Sequence, residues 1–547
     1  MAEKEAYNDG GNGYDLNREG SQTGQTTEYN LADSHDQLER GLKSRHIQFL
    51  ALGGAIGTGL FIGSGAILAR TGPAPLFMGY LSMMLMVYVI MNILAEMVTY
   101  LPMRGITVPY FVGRFVDPSL AFAAGWNYWY AYAMLVGAEA VAAGIIIEYW
   151  EPPVNIALWI AIVLIVMLLL NIIAVSFFGE AEFWFASIKL ITICGLIILG
   201  VVIFFGGGPN QNHIRGFSYW KDPGAFVEFN AKGNTGHFLA YWSAFVSAGF
   251  AFITSPELIA ISAGEAVAPR RNIPKAAKRF IWRLAIFYGI SSLLIGILVP
   301  SDDPNLLGAS NASASPFVIG IQNVGIPVLN HIINAAVLTS AWSAGNSFLY
   351  SGSRVLYSMA LNGQAPKIFR ITNKYGVPWA AVLFTWAFGL LAFLNVSNSG
   401  ATVFNWFVNI STISGFIAWI VVMITYLRFR RAMEFNNLLD SLPFKTPFQP
   451  YATWIVLVII SVLTLTNGFS LFIGDNWSTS SFIAAYVTLP IFLVLYLGHK
   501  LWFRTPLCIR TPNIDAITGK REMDELEALD IPPVPKNMLE KVWFWLA

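Results

Sequence analysis

The chain of 547 residues is 55% hydrophobic and only 12% charged, with 33 Lys and Arg against 32 Asp and Glu. Soluble domains carry about twice that share of charge, so the composition excludes a soluble protein and describes a polytopic membrane protein. Near-neutral charge without a basic stripe excludes a nucleic-acid partner; the two cysteines, Cys194 and Cys508, form no disulfide framework, and the histidines lack metal-ligand spacing, so no cofactor or metal is expected.

Residues 1–45 are polar and carry no cleavable signal; they predict a disordered tail. Apolar segments of spanning length follow at about 47–69, 75–100, 120–146, 155–176, 184–206, 237–262, 281–300, 326–350, 378–396, 402–428, 451–473 and 480–501. They predict an all-α membrane protein of twelve helices over about 46–505, with a tail at 506–547. The linker 207–236 is rich in Gly and Pro and reads as an irregular lid.

Basic residues cluster in alternate loops: Arg104 and Arg114; Arg270 to Arg283; Arg354, Lys367, Arg370 and Lys374; Arg428, Arg430 and Arg431. By the positive-inside rule these loops and both termini are cytoplasmic. The sequons at Asn311, Asn395 and Asn476 then fall outside and are candidate glycosylation sites, whereas Asn409 lies within a span. Lys4 and Lys43 are candidate acceptors for ubiquitin in the cytoplasmic tail.

The first span holds Gly53 to Gly65, with six glycines in thirteen residues. Such a run has two readings. Gly53–Gly57 and Gly59–Gly63 fit close helix packing, or the glycines weaken the helix enough to open it. The sixth span carries Gly249 and Pro256, and Pro256 predicts a kink or break there. Spans one and six occupy equivalent places in two successive sets of five. An odd number of crossings inverts the second set, so the pattern predicts an inverted repeat, about 47–206 and about 237–428, with extra helices at about 451–501. Interrupted helices at matching positions of inverted halves mark a secondary transporter's site, which packing alone does not account for. Amides near Thr58 and Gly59 suit a carboxylate and carbonyls from Phe250 to Ile253 suit an ammonium, so two facing breaks match a zwitterion such as a free amino acid.

Ionisable groups inside spans are costly and usually functional. Glu139 shares a helical face with Tyr132 and Tyr128. Lys189 stands about 10 Å from the cytoplasmic end, with Glu182 on its face. Each has a structural alternative: a buried acid bonded to a neighbour for Glu139, and a salt bridge for Lys189. Glu257, next to Pro256, either faces the site or bonds freed backbone. Polar stripes at Asn334, Ser340, Ser343, Asn346 and Ser347, and at Asn405, Asn409 and Thr412, read as helix contacts. Trp342 walls the pocket or packs. Glu96 and Glu265, near cytoplasmic ends, read as structural. The glycine run lacks the GKS/T of a phosphate loop, and HExxH and GxSxG are absent, so no enzyme is expected.

GAIGTGLFIGSG (54–65), FFGEAEFWFASIKL (177–190) and AGEAVAPRRNIPKA (263–276) resemble the fungal amino acid permeases of the amino acid–polyamine–organocation superfamily, over about residues 38–505. SPFVIGIQNVGIPVLNHIINAAVLTSAWSAGNSF (315–348), FNWFVNISTISGF (404–416) and LPFKTPFQPYATW (442–454) resemble its proline-permease branch. Most of these relatives have Gly-Thr-Glu in the sixth span and some proline permeases have Gly-Pro-Glu, where this chain has Ser255-Pro256-Glu257; the exact selectivity stays open.

The resemblance implies a plasma-membrane importer with the LeuT-like 5+5 inverted-repeat core, alternating access and proton symport. The candidate substrate contacts at the two breaks are Ala55, Ile56, Gly57, Thr58, Gly59, Phe250, Ala251, Phe252, Ile253 and Thr254, with Glu257 a candidate coupling residue; the resemblance implies Glu139 and Lys189 for coupling, Phe250 as a gate and Trp342 beside the pocket. The expected substrate is proline or a small neutral amino acid, with a proton. A GABA or broad-range permease, an exchanger and a non-transporting amino acid sensor stand as alternatives.

Overall fold

Proline occupies the first turn of several helices, Pro73, Pro109, Pro118 and Pro316 among them, because no amide donor is needed there. Asp117 caps the helix that Pro118 starts: it accepts from the amides of Ser119 and Leu120 at 3.3 and 3.2 Å. Asn155 and Ser399 cap two further helices in the same way. The computed structural model describes residues 57–102, 107–173, 175–257, 269–307, 315–528 and 537, among which no strand occurs.

The helices of the first half are α1 (Gly59–Thr71), α2 (Pro73–Tyr100), α3 (Val108–Phe115), α4 (Pro118–Glu148), α5 (Ile156–Ile172), α6 (Val175–Phe204) and α7 (Gly233–Ala248). The second half holds α8 (Pro269–Leu298), α9 (Leu329–Leu361), α10 (Trp379–Val396), α11 (Gly400–Phe435), α12 (Tyr451–Leu465), α13 (Thr479–Tyr486), α14 (Thr488–Phe503) and α15 (Lys520–Ala528). Each of the twelve predicted segments overlaps a helix among the described residues. Length and apolar character nevertheless qualify only seven helices as crossings among the described residues, with Gly233–Glu257 counted as one across its break, or eight if α13 and α14, bent by 43°, count as one. The helices α1, α5 and α12 are apolar but short. Helix α9 is long, and its polar stripe lowers its hydropathy.

Helix α4 lies at the centre, buried along nearly its whole length and flanked by α9, α10, α11 and α14. Polar pairs tie it and its neighbours together. Asn127 on α4 donates to the Ser414 carbonyl on α11 at 2.9 Å, and the Ser414 hydroxyl returns a bond of 2.9 Å to Asn127 Oδ1. Asn171 on α5 donates to Asn346 Oδ1 on α9 at 2.6 Å. Between membrane helices such bonds average about 0.6 kcal/mol each, so they fix register more than they add stability. The outer face of α6 is left open, with Trp184, Ile191 and Ile198 exposed, as a lipid-facing helix requires.

The linker 207–236 holds one short turn, Trp220–Gly224. It is tied down at the α1–α2 junction, where Val227 donates to Thr71 O and Ala74 donates to Ala225 O, both at 3.0 Å. Gly72 makes that junction. Its φ of +90° is left-handed, and a Cβ there would lie 2.9 Å from Ala225 O.

The chain after α14 folds back as a strap. Ile509 donates to Val116 O at 2.8 Å, and Arg428 on α11 donates to Ile509 O. Arg114 on α3 binds the carbonyls of Asp515 and Thr518 at 2.7 and 2.8 Å and pairs with the Asp515 carboxylate at 3.4 Å. Arg270, at the start of α8, pairs with Asp524 at 2.6 Å and Glu527 at 2.7 Å while donating to the carbonyls of Thr99 and Tyr100. Ile514 and Ala516 are buried beneath. Burial opposes the charge of Asp515, but the Thr518 amide and Arg114 outweigh it and hold its carboxyl below the usual range. For Asp524, Lys520 and Arg270 do the same.

Candidate functional site

The break in the sixth predicted span does not lie where proline suggested. Helix α7 ends at Ala248, and Gly249–Ala251 tighten into a 3-10 turn. The amides of Phe252 and Ile253 then both converge on Gly249 O, at 2.9 and 3.0 Å. Thr254 sits at φ +66°, a left-handed conformation that strains a β-branched residue. Ser255–Glu257 are helical again. Pro256 therefore stands in the first turn of the following helical piece, where its missing amide is tolerated; the interruption is made by Gly249–Thr254.

The glycine run contributes the opposing surface. Gly59–Gly63 form a π turn at the start of α1; Ala55 and Ile56 lie outside the described residues. A Cβ on Gly59 would lie 2.7 Å from Ala251 Cα and 2.9 Å from Ala251 Cβ, so the π turn of α1 and the break after α7 touch backbone to backbone. Gly59 permits this contact, as the packing reading of the glycines expects, and on the partner side the contact lies at the break after α7.

Four buried ionisable side chains surround this crossing. On insertion scales each charge at mid-membrane costs about 3 kcal/mol, so each needs partners. Thr58 donates to Glu139 Oε1 at 2.9 Å. Gly57 lies beside the same oxygen, where a Cβ would sit 3.7 Å from it, and Gly345 on α9 lies against the Glu139 stem. Lys189 on α6 is within electrostatic reach of Glu182 and Glu139. The Ser343 hydroxyl on α9 spans both Glu182 oxygens at 2.9 Å. Tyr128 donates to Glu257 Oε1 at 3.3 Å. Central helix α4 therefore holds one acid-bearing contact to the start of α1 and one to the stretch after the α7 break: Glu139 to Thr58 and Tyr128 to Glu257.

Several buried polar atoms around the crossing have no hydrogen-bond partner among the described residues: Glu139 Oε2, Thr254 Oγ1, Tyr132 OH and Trp342 Nε1. Phe250 meets Phe404 edge-on at 5.8 Å. Trp342 stacks on Phe185 of α6 at 6.2 Å. The second polar stripe turns back on its own helix, Asn409 to Asn405 O and Thr412 to Val408 O. Glu96 accepts from Tyr426 and from the Thr446 amide at 3.0 and 2.7 Å; Glu265 is outside the described residues.

Sequence reasoning overlooked Tyr80 and Tyr288. Tyr80 on α2 donates to Gly59 O at 2.9 Å, and Tyr288 on α8 donates to Ala251 O at 3.1 Å. Phe252 O accepts from the Ser255 amide and hydroxyl. Three of the four carbonyls from Gly249 to Phe252 thus already accept a bond within the protein. Of the sequons, Asn476 is exposed, Asn395 is buried against Gly400, and Asn311 is outside the described residues.

Long apolar helices enclosing buried carboxylates and a lysine define a multi-pass membrane protein. Residues 46–508 match the family model for amino acid permeases. The chain is 56% identical over 519 residues to a proline-specific permease of Emericella nidulans, covering 94% of each chain. It is 57% identical over 500 residues to a probable proline-specific permease of Schizosaccharomyces pombe, covering 90% of each. Identity to a proline-specific permease of Saccharomyces cerevisiae is 49%, over 91% of this chain and 82% of that one. The chain belongs to the amino acid permease family.

Proposed function

We propose that this protein imports proline, with other small neutral amino acids as weaker substrates, across the plasma membrane in symport with protons. The observation that carries the reading is the backbone contact between Gly59 and Ala251, flanked by buried Glu139 and its Thr58 partner. The names of its similar proteins favour proline. Amides at Gly57 to Gly59 receive the carboxylate. The ammonium goes to the remaining carbonyl lone pairs of residues 250–253, and Phe250 closes over the ligand. Ala55, Ile56 and Trp342 complete the pocket.

Coupling is assigned to the Glu139–Lys189 region, with Glu257 as a second acid. Protonation there favours the occluded form. The first and sixth spans then move with the second and seventh, which opens the site inward. This reading takes twelve crossings over 46–505, two inverted repeats and cytoplasmic tails at 1–45 and 506–547, with Lys4 and Lys43 open to ubiquitin ligases.

The test is uptake of radiolabelled proline by permease-deficient yeast expressing the chain, in acidic and alkaline medium, with and without a protonophore. Unlabelled GABA, alanine and glycine serve as competitors. Uptake favoured by acid, abolished by the protonophore and displaced mainly by proline is expected. Strong competition by GABA or alanine replaces this with a broad-range carrier. Dependence on internal amino acid identifies an exchanger, and absence of uptake from surface-localised protein identifies a sensor.

A further inference from the structure

The backbone contact at the crossing is held from two sides by phenols. Gly59 and Ala251, whose backbones touch, are the residues whose carbonyls accept from Tyr80 and Tyr288. The two rings stack on one another at 6.1 Å. Both pack on Phe252, at 5.8 and 4.4 Å. All three side chains are buried, Phe252 completely. The arrangement is paired: a residue on α2 serves the π turn of α1, and a residue on the π turn Ala285–Ile290 of α8 serves the break after α7. An interrupted membrane helix must satisfy its freed carbonyls inside the protein, and phenols do so with directional bonds to neutral donors that do not titrate near neutral pH.

We propose that Tyr80 and Tyr288 are positioning residues that clasp the π turn of α1 and the break after α7 into one rigid ligand-binding unit. Resting on the transport reading above, the clasp has two consequences. It fixes the spacing between the amides near Gly59 and the carbonyls near Ala251, and so the length of zwitterion that bridges them. It also occupies Gly59 O and Ala251 O along one lone pair each, which directs an ammonium group toward the other carbonyls of the break.

The variants Tyr80→Phe and Tyr288→Phe remove only the hydroxyls and keep the stacked rings. Two measurements are made on the full-length protein. The first is the KM and maximal rate of uptake of whichever amino acid the wild type transports, corrected for surface abundance. Each variant raises KM about tenfold with a maximal rate within about twofold, as loss of ground-state positioning requires. The double variant is less than the product of the two, because both bonds serve one contact. The second is hydrogen–deuterium exchange of the purified protein without substrate. Each variant raises exchange in both 57–63 and 249–257, although its hydroxyl touches only one of them.

Unchanged KM in both variants overturns the clasp, as does a faster exchange confined to the stretch each hydroxyl touches. A fall in surface abundance alone, with KM preserved, reduces the tyrosines to structural residues and also overturns it. A wild type without uptake counts against the transport reading, and the exchange measurement then decides the clasp.

Discussion

The hydroxyl of Thr58 donates to Glu139 Oε1 across 81 residues of sequence, in a setting where both side chains are almost fully buried. This single bond joins the start of α1 to central helix α4. Glu139 Oε2 has no partner among the described residues, so the Thr58 bond is the main described restraint on the carboxyl. Leaving a buried acceptor without its donor costs about 1–3 kcal/mol, an effect on the order of tenfold or more.

Replacing Thr58 by Val removes the donor at nearly constant shape. The expected result is at least a tenfold loss of uptake efficiency with normal surface abundance. Glu139→Gln keeps an acceptor for Thr58 and removes the titrating group, so residual uptake in that variant becomes insensitive to external pH. Uptake by Thr58→Val within twofold of the wild type would leave the bond a packing detail.

Gly59 and Gly63 give an internal comparison. A Cβ at Gly59 meets Ala251 backbone at 2.7 Å, whereas at Gly63 the nearest atom is Thr58 O at 3.9 Å. Forcing atoms into a packed core costs about 1–3 kcal/mol, and here the obstructing atom is main chain. Gly59→Ala is expected to abolish uptake or surface delivery, and Gly63→Ala to leave both near wild type. Surface biotinylation with uptake kinetics checks this. Equal behaviour of the two variants would show that the crossing is looser than its geometry.

The strap carries a pH signature. The carboxyls of Asp515 and Asp524 lie below their usual range in the folded protein. Such groups contribute stability above the unfolded pKa and lose it as pH falls through the folded one. The strap is therefore firm at neutral pH and loosens below about pH 3.9, the ordinary Asp value. Cys508 is exposed at its root. A spin label there, in a Cys194→Ser background, is expected to gain mobility only below that point. The variant Arg270→Gln should gain mobility at neutral pH. A label equally mobile at every pH would show that the strap is not held by these pairs.

The sequons separate by exposure. Asn476 is exposed and Asn395 is buried. Enzymatic deglycosylation of protein from yeast membranes should collapse a mobility shift that Asn476→Gln removes and Asn395→Gln leaves unchanged. A shift lost only in Asn395→Gln would contradict the packing around Gly400.

The sequence made the helices legible through their apolar runs, and the interruption after α7 through its Gly and Pro residues. Position was harder. Pro256 reads as a helix breaker, yet proline is tolerated in a first turn, and the break fell on Gly249–Thr254. Tyr80 and Tyr288 were invisible because an aromatic residue within an apolar run reads as packing; only the fold brings their hydroxyls to carbonyls 21 and 37 residues away. The Glu182 partner Ser343 lay within a stripe read as helix contact, correctly in kind, but its mate 161 residues away carries no local signal.

The strap also bears on the timing of assembly. Asp117, which caps the central helix, pairs with Lys500 at 2.7 Å across 383 residues. Arg114 reaches its carbonyl partner at Asp515 across 401 residues. During synthesis these groups exist long before their partners. The central helix and its flanking arginine must be inserted and held before their downstream partners are made, and the face they form is completed only when Lys500 and Asp515 arrive.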